Sequence, residues 1–118
     1  MESFVTVYVD DARIAARVGG LRGCWSHLFA DSSDELLLFA ASIGLAGEWL
    51  QCGGEPEEHF DVTERVRRAA LQAGAVPISA VDAGLLVLRR VTALRMLRPG
   101  FAGQVGMTSQ AESAYSLM

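Results

Sequence analysis

The sequence predicts an α/β fold: a single small domain in which a mostly parallel sheet of about four strands is covered by three helices. Segments rich in β-branched and aromatic residues alternate along the chain with segments that open on helix-capping residues. Such alternation is typical of parallel sheets with right-handed crossovers. The 118 residues, 51% of them hydrophobic and 20% charged, suffice for one core but not two. We therefore assign residues 1–98 to the domain and residues 99–118 to a C-terminal tail.

Two strands are predicted in the N-terminal part of the chain. Residues 4–9 are β-branched and aromatic and end at an acidic pair, which indicates a buried strand. Residues 24–30 form the second strand, after a stretch over residues 13–23 that contains three glycines and is predicted to be an irregular loop. Alternation along the second strand places three side chains on one face: Trp25, His27 and Phe29.

Helices are predicted over three segments: 32–44, 63–73 and 81–97. Each segment starts at or just after a hydroxyl residue that is able to accept a hydrogen bond from a nearby backbone N–H group: Ser32, Thr63 and Ser79. A glycine follows the first two helices and a proline follows the third, and both residue types favour termination. The predicted helix starts therefore depend only on interactions between residues a few positions apart.

Two further strands are short. Residues 48–52 are assigned to a third strand, and a surface loop follows over residues 53–58. Residues 59–62 are expected to lead directly into the second helix. Residues 76–78 form the last strand, which Pro77 restricts to an edge or a strand start.

Composition excludes several classes of protein. The net charge of −4 argues against a broad nucleic-acid-binding surface. No apolar run approaches the roughly 20 residues of a membrane span, and the first residues lack the basic segment of a signal peptide, so we expect a cytoplasmic protein. Cys24 and Cys52 do not form a Cys-x-x-Cys motif, and in a reducing compartment we expect small buried thiols rather than a disulfide.

Several short blocks occur in an order and spacing that resemble a known family. They are Tyr8-Val9-Asp10-Asp11, His27-Leu28-Phe29-Ala30-Asp31, Glu35-Leu36, Ile43-Gly44-Leu45, Trp49-Leu50-Gln51, His59-Phe60-Asp61 and Gly74-Ala75-Val76. Together they resemble the small bacterial and phage family called domain of unknown function 4031, over about residues 5–90. The resemblance implies no particular activity. The chain departs from the family pattern at Leu37, where a histidine is usual, and at Val66, where a lysine is frequent.

A divalent-metal site is the first functional hypothesis. The candidate ligands fall at strand ends or in adjoining loops, where functional groups gather in α/β sheets: Asp10, Asp11, Asp31, His27 and His59. We expect Asp10, His27 and His59 to converge. Carboxylates and imidazoles bind Mg²⁺, Mn²⁺ or Zn²⁺, which activate water or hold a phosphate. The alternative is structural: His27 is a hydrogen-bonded, half-buried histidine and the acidic pair forms a turn.

His59, Asp61 and His27 are the candidate catalytic residues. In an extended segment His59 and Asp61 lie on the same side, so that Asp61 orients the imidazole of His59 as a general base. Alternatively, Asp61 only stabilises the start of the second helix. Arg67 is the candidate anion-binding residue, because cations near a helix N-terminus are otherwise disfavoured; an ion pair between Glu64 and Arg67 is the other interpretation.

Self-association is predicted from the apolar width of two helices. Residues 36–39 and residues 85–88 cover more than one face of their helices, so one sheet does not bury them all. We expect a homo-oligomer, by default a two-fold dimer, that uses helix 81–97 and a neighbour's tail. Tight packing within the monomer is the alternative.

Two functions follow from these observations. One is a metal-assisted or acid–base-assisted hydrolase, of phosphoesterase or nuclease type, acting on a phosphate-containing substrate. The other is a noncatalytic binding or assembly module, in which the same polar residues hold loops together and the apolar helices build the interface.

Overall fold

A computed structural model describes residues 6–97, which form a five-stranded sheet and three helices. The strands are β1 (Val7–Val9), β2 (Ile14–Val18), β3 (Leu21–Ala30), β4 (Phe60–Val62) and β5 (Val76–Pro77). The helices are α1 (Ser33–Ser42), α2 (Glu64–Gln72) and α3 (Ala80–Leu97). The α/β class is therefore confirmed, while the predicted tail over residues 99–118 and the start of the first predicted strand lie outside the described residues.

The sheet is mixed, and the prediction of a mostly parallel sheet was wrong. Strand β3 pairs antiparallel with β1, β2 and β4, and the parallel pair within the described residues is β1 with β5. Strands β1 and β2 lie along β3 one after the other, β1 beside its end and β2 beside its start. The parallel topology fails because β2 returns directly into β3 without a crossover helix.

The predicted irregular loop over residues 13–23 is instead a hairpin between β2 and β3. Its register runs from Ile14 opposite Trp25 to Val18 opposite Leu21. The connection is the pair Gly19 and Gly20, whose φ values of 56° and 83° suit a tight two-residue turn. Consecutive glycines therefore marked a hairpin turn here, where the sequence was interpreted as an irregular loop.

Two assignments around the loop 53–58 also change. The predicted strand over residues 48–52 is a short 3-10 helix, Gly47–Trp49, followed by an isolated bridge between Gln51 and His59. The predicted lead into the second helix forms strand β4 instead. Three-residue strands carry little local signal, and the pairing of β4 with β3 determines this one.

The three helix starts are confirmed by their capping hydrogen bonds. Ser32 Oγ accepts from the N–H of Glu35 at 3.2 Å, Thr63 Oγ1 from Val66 at 3.3 Å, and Ser79 Oγ from Asp82 at 3.0 Å. Gly74 follows α2 with a φ of 109°, a conformation that L side chains rarely adopt. Strand β5 lies at the sheet edge, as Pro77 requires.

Alternation along β3 separates two packing layers. Leu28 and Ala30 belong to the main core, which α1 and α2 close on one face of the sheet. The largest fully buried apolar side chains there are Phe60, Leu28 and Leu36, and each contributes about 2 kcal/mol through its burial. His27 and Phe29 point to the opposite face, where Ala83 and Val87 of α3 cover them.

Cys24 and Cys52 are free, as expected, but both are exposed rather than buried. Cys24 lies in the hairpin of β2 and β3, and Cys52 lies in a surface turn with a φ of 53°.

Within residues 6–97, no helix combines the length and the apolarity needed to cross a bilayer.

Candidate acid–base site

Two aspartates and two histidines share the face of the sheet beneath α3, and we call them the imidazole cluster: Asp10, His27, His59 and Asp61. In the register of β3 and β4, His27 lies opposite Asp61, so their side chains project to the same side, and His59 follows the same alternation. Asp10 comes directly after β1 and donates its backbone N–H to the carbonyl of His27 at 3.0 Å. Strand pairing therefore brings together residues that lie far apart in the chain.

Asp10 and His27 form a buried pair. The side chains are 0% and 3% exposed, and Asp10 Oδ2 lies 2.7 Å from His27 Nδ1. The other carboxylate oxygen, Oδ1, accepts from the backbone N–H groups of His27 at 2.8 Å and Ala12 at 3.2 Å. Because the carboxylate accepts from Nδ1–H, the neutral ring carries its hydrogen on Nδ1 and has its basic nitrogen at Nε2.

His59 contacts a different pair of acceptors. Its Nδ1 lies 2.7 Å from the carbonyl oxygen of Glu57, and its Nε2 lies 3.3 Å from Oδ1 of Asp61. Nδ1 donates to the carbonyl of Glu57, whereas the approach of Nε2 to Asp61 lacks hydrogen-bond geometry. The two imidazoles therefore have distinct surroundings, one held by a carboxylate at Nδ1 and one placed between a carbonyl and a carboxylate.

The two imidazole rings are in direct contact. Their centroids are 5.3 Å apart, and their planes meet at 79°, an edge-to-face arrangement. The predicted convergence of Asp10, His27 and His59 is thus confirmed. The contact results from the pairing of β3 with β4, together with the bridge between Gln51 and His59.

A cavity and a groove adjoin the imidazoles. The cavity lies between both rings, Phe29 and α3, and offers about 10 Å³ to a water-sized sphere, which suffices for about one water molecule. A larger groove of about 380 Å³ runs between the start of α1, the loop 53–58 and the second half of α3. Glu58 lines both spaces, so it lies on the boundary between them.

The proposed metal ligands are not all brought together. Asp11 is exposed and accepts a hydrogen bond from the N–H of Ala80 at 2.9 Å, so it contacts the start of α3. Asp31 lies near Arg90, with Oδ1 and Nη2 3.3 Å apart. Within residues 6–97, no group of three or more histidine, cysteine, aspartate or glutamate side chains is arranged to hold a metal ion.

Arg67 contacts Asp10 through the backbone. Its Nε donates to the carbonyl oxygen of Asp10 at 2.8 Å, so α2 supports the residue that holds His27. The alternative pair of Glu64 with Arg67 is replaced by Glu64 with Arg13, whose Nε lies 3.0 Å from the carboxylate. The Arg13 hydrogen bond lowers the pKa of Glu64. Arg13 itself has a φ of 46°, in the left-handed region, and donates its backbone N–H to Ser26 Oγ.

Arg90 is a residue that the sequence analysis missed. Its guanidinium lies 5.9 Å from the ring centroid of Phe29 and donates to the carbonyl of Ala30 at 2.9 Å. Tyr8 stacks on the same phenyl ring, and burial together with the negative charge of Asp31 raises the pKa of its hydroxyl. The available signal in the sequence was a pair of adjacent arginines, Arg89 and Arg90, in the middle of a largely apolar helix.

Glu58 was missed as well. Its carboxylate accepts from the hydroxyl of Ser33 at 2.7 Å and from the N–H of Gly54 at 3.0 Å. These bonds connect the loop 53–58 to the start of α1 and close the cavity on that side. In the sequence, the signal that Glu58 lies near the candidate site was its position directly before the His59-Phe60-Asp61 block.

The comparisons with known proteins identify a family and no activity. No curated protein and no solved structure matches the chain. Residues 7–90 match the family described as "Protein of unknown function (DUF4031)". The match covers β1 to β5, the first half of α3 and all four residues of the imidazole cluster. The chain therefore belongs to the DUF4031 family.

Proposed function

We propose that the protein is a hydrolase that cleaves a phosphate ester by acid–base catalysis at His27 and His59. One observation carries the proposal: two buried imidazoles are in edge-to-face contact, and each is held at a ring nitrogen by a fixed acceptor beside a cavity. Paired imidazoles are suited to hydrolysis because one accepts a proton while the other donates one.

His27 is the proposed general base. Asp10 is held by two backbone N–H groups, and it in turn orients His27 through Nδ1. With Nδ1 donating to a carboxylate, proton uptake takes place at Nε2, and the carboxylate stabilises the resulting imidazolium. Asp10 is thus a positioning residue for the base.

His59 is the proposed general acid. The carbonyl of Glu57 and the carboxylate of Asp61 face its two nitrogens, and in the proposed cycle the ring donates a proton when both nitrogens carry hydrogen. Such a ring has a proton to give to a leaving oxygen. Asp61, at 3.3 Å, orients the ring and balances its charge.

The reaction follows from these roles. His27 takes a proton from water as the water oxygen bonds to phosphorus, and the bond between phosphorus and the leaving oxygen breaks as His59 protonates that oxygen. The cavity has room for about one water molecule. The larger groove is the proposed site for the rest of the substrate, and its volume lies in the range of small-molecule sites.

Arg90 is the proposed phosphate contact. It lines the groove, and its guanidinium lies over Phe29, whose ring lines the cavity. A planar guanidinium suits phosphate oxygens. Access to the imidazoles requires the bonds of Glu58 to Ser33 and Gly54 to open, because the rings are nearly inaccessible in the closed arrangement.

Asparagine variants of the histidines test the proposal most directly. The asparagine side-chain amide reproduces the Nδ1 donor of histidine and lacks any equivalent of Nε2. We expect the wild type to hydrolyse p-nitrophenyl phosphate or its diester. His27→Asn and His59→Asn should lower kcat at least about 100-fold while preserving the fold. Asp11→Asn, which lies outside the cavity, is the matched control and should keep kcat within about threefold.

Two outcomes contradict the hydrolase. A wild type that cleaves neither ester, with or without added Mg²⁺, Mn²⁺ or Zn²⁺, removes the reaction altogether, and the metals cover the metal-assisted form of the hypothesis. Folded His27→Asn and His59→Asn proteins that retain full activity remove these two residues from it. Circular dichroism and urea unfolding establish that each variant is folded.

A noncatalytic role is the second candidate. Asp10 accepts from the backbone N–H groups of His27 and Ala12, and these bonds hold the segment between β1 and β2 whatever the chemistry of the ring. In a purely structural cluster, the buried rings themselves stabilise the fold, so each asparagine variant should lower the free energy of unfolding by about 1 to 3 kcal/mol. An inactive wild type with asparagine variants destabilised by this amount would support this role.

A further inference from the structure

An exposed apolar stripe runs along the first half of α3. Val81 is 73% exposed, Leu85 51% and Leu88 44%. They are four and three residues apart, so they lie on one side of the helix. The buried residues of α3, Ala83, Val87 and Val91, lie on a different side, towards the sheet. The stripe is independent of the imidazole cluster and of the proposed hydrolase.

Two opposite charges flank this stripe on the same side. Asp82 and Arg89 are seven residues apart, which is about two helical turns, so they project at nearly the same angle. Both are exposed, and neither forms an ion pair with another residue in the part of the chain that the structure describes. The acidic residue lies towards the N-terminus of the helix and the basic one towards the centre.

We infer that a second copy of the chain binds this stripe, with the two α3 helices antiparallel about a two-fold axis near Leu85. In this arrangement the two helices run in opposite directions past the axis, so a residue before the axis on one helix lies at the same height as a residue equally far after it on the other. Residue 82 of one copy is therefore level with residue 89 of the second copy. Leu85 meets Leu85 of the second copy, and Val81 meets Leu88 of the second copy. Asp82 faces Arg89 of the second copy, and the symmetry repeats that ion pair.

Self-complementarity is the reason to choose a second copy over another partner. A two-fold interface requires one patch to match itself after rotation. Here the apolar residues occupy the centre and the opposite charges occupy symmetric flanking positions, so one rotation satisfies both requirements. The opposed helix directions also place the two helix dipoles antiparallel.

Light scattering on the full chain tests the dimer. We expect a mass of about 25 kDa at micromolar concentration, twice the chain mass of 12.6 kDa. Leu85→Glu should return the mass of one chain, because it places two like charges at the axis. Leu38→Glu on α1 is the matched control, since Leu38 is also an exposed leucine, at 75%, and lies outside the stripe; its mass should stay that of the dimer.

A charge swap tests the orientation of the helices. Asp82→Arg and Arg89→Asp should each raise the dimer dissociation constant at least about tenfold, because each places like charges together. The double variant restores both pairs and should return to within about threefold of the wild type. In a Cys24→Ser, Cys52→Ser background, Leu85→Cys should form a disulfide-linked dimer under mild oxidation.

Three results overturn the inference. A wild type with the mass of one chain would show that no second copy binds the stripe, and residues 98–118 or a different protein would then be the partner. A dimer that Leu85→Glu does not dissociate has its interface elsewhere. A double charge variant that dissociates more than either single variant excludes the antiparallel pairing of Asp82 with Arg89. Circular dichroism confirms the helical content of each variant before its mass is interpreted.

Discussion

Arg67 on α2 donates from Nε to the backbone carbonyl of Asp10, 2.8 Å away, and so connects a surface helix to the residue that holds His27. The segment that follows Asp10 passes through the left-handed conformation of Arg13, whose side chain is held by Glu64 of the same helix. The first turn of α2 therefore supports the segment at two points. This role differs from the anion binding expected from the sequence.

Loss of the Arg67 contact should destabilise the fold. Arg67→Gln leaves the partly buried Asp10 carbonyl without its donor, and we expect a loss of about 1 to 2 kcal/mol in the free energy of unfolding. Arg68→Gln is the control, because Arg68 is exposed on the next position of the helix, and it should change stability by less than about 0.5 kcal/mol. Urea unfolding measures both. Equal effects of the two variants would contradict the proposed support.

Asp10→Asn should be more costly than Asp11→Asn. Asparagine in place of Asp10 has one side-chain oxygen where the carboxylate has two, so it does not accept from all three donors of this buried site. We expect a loss of about 3 kcal/mol in the free energy of unfolding. Asparagine in place of the exposed Asp11 still accepts from Ala80, so its cost should stay below about 0.5 kcal/mol. A small loss at Asp10, matched by an equal loss at Asp11, would show that the buried carboxylate is dispensable for folding.

The ion pair of Arg13 with Glu64 predicts a pH dependence. The hydrogen bond from Arg13 lowers the pKa of Glu64, so the pair stabilises the fold at pH values above the ordinary glutamate pKa. That stability is lost as the pH falls through the lowered value in the folded state. We expect the difference in urea midpoint between wild type and Glu64→Gln to shrink between about pH 6 and about pH 3. A difference that is constant or grows on acidification would contradict this assignment.

Cys52 should be a slow nucleophile. Desolvation of the sulfur, together with the negative charges of Glu57 and Glu55, raises the pKa of the thiol, so less of it is thiolate at a given pH. In a Cys24→Ser variant, iodoacetamide should react more slowly at about pH 8 with the folded protein than with the urea-unfolded protein. The rate of the folded protein should rise at higher pH than that of the unfolded chain. A folded protein that reacts as fast as the unfolded chain would contradict the raised pKa.

The errors in the sequence analysis fall where local signals are weakest. Strand β4 has three residues, and its strand conformation depends on pairing with β3. The hairpin at Gly19 and Gly20 was missed because two consecutive glycines favour a tight turn and a flexible loop alike. Once that hairpin was missed, the chain appeared to alternate strands with helices, and a parallel sheet followed as the wrong conclusion.

The sequence by itself determined the helix starts at Ser32, Thr63 and Ser79, because a capping hydroxyl acts on a backbone group only a few residues away. It also indicated the histidines and aspartates of the candidate site. Only the tertiary structure decided which of them meet: Asp10 bonds to His27, while Asp11, its neighbour in the chain, turns away to the start of α3. Side chains alternate across a strand, so adjacent residues face different surroundings, and the register between distant strands selects their partners.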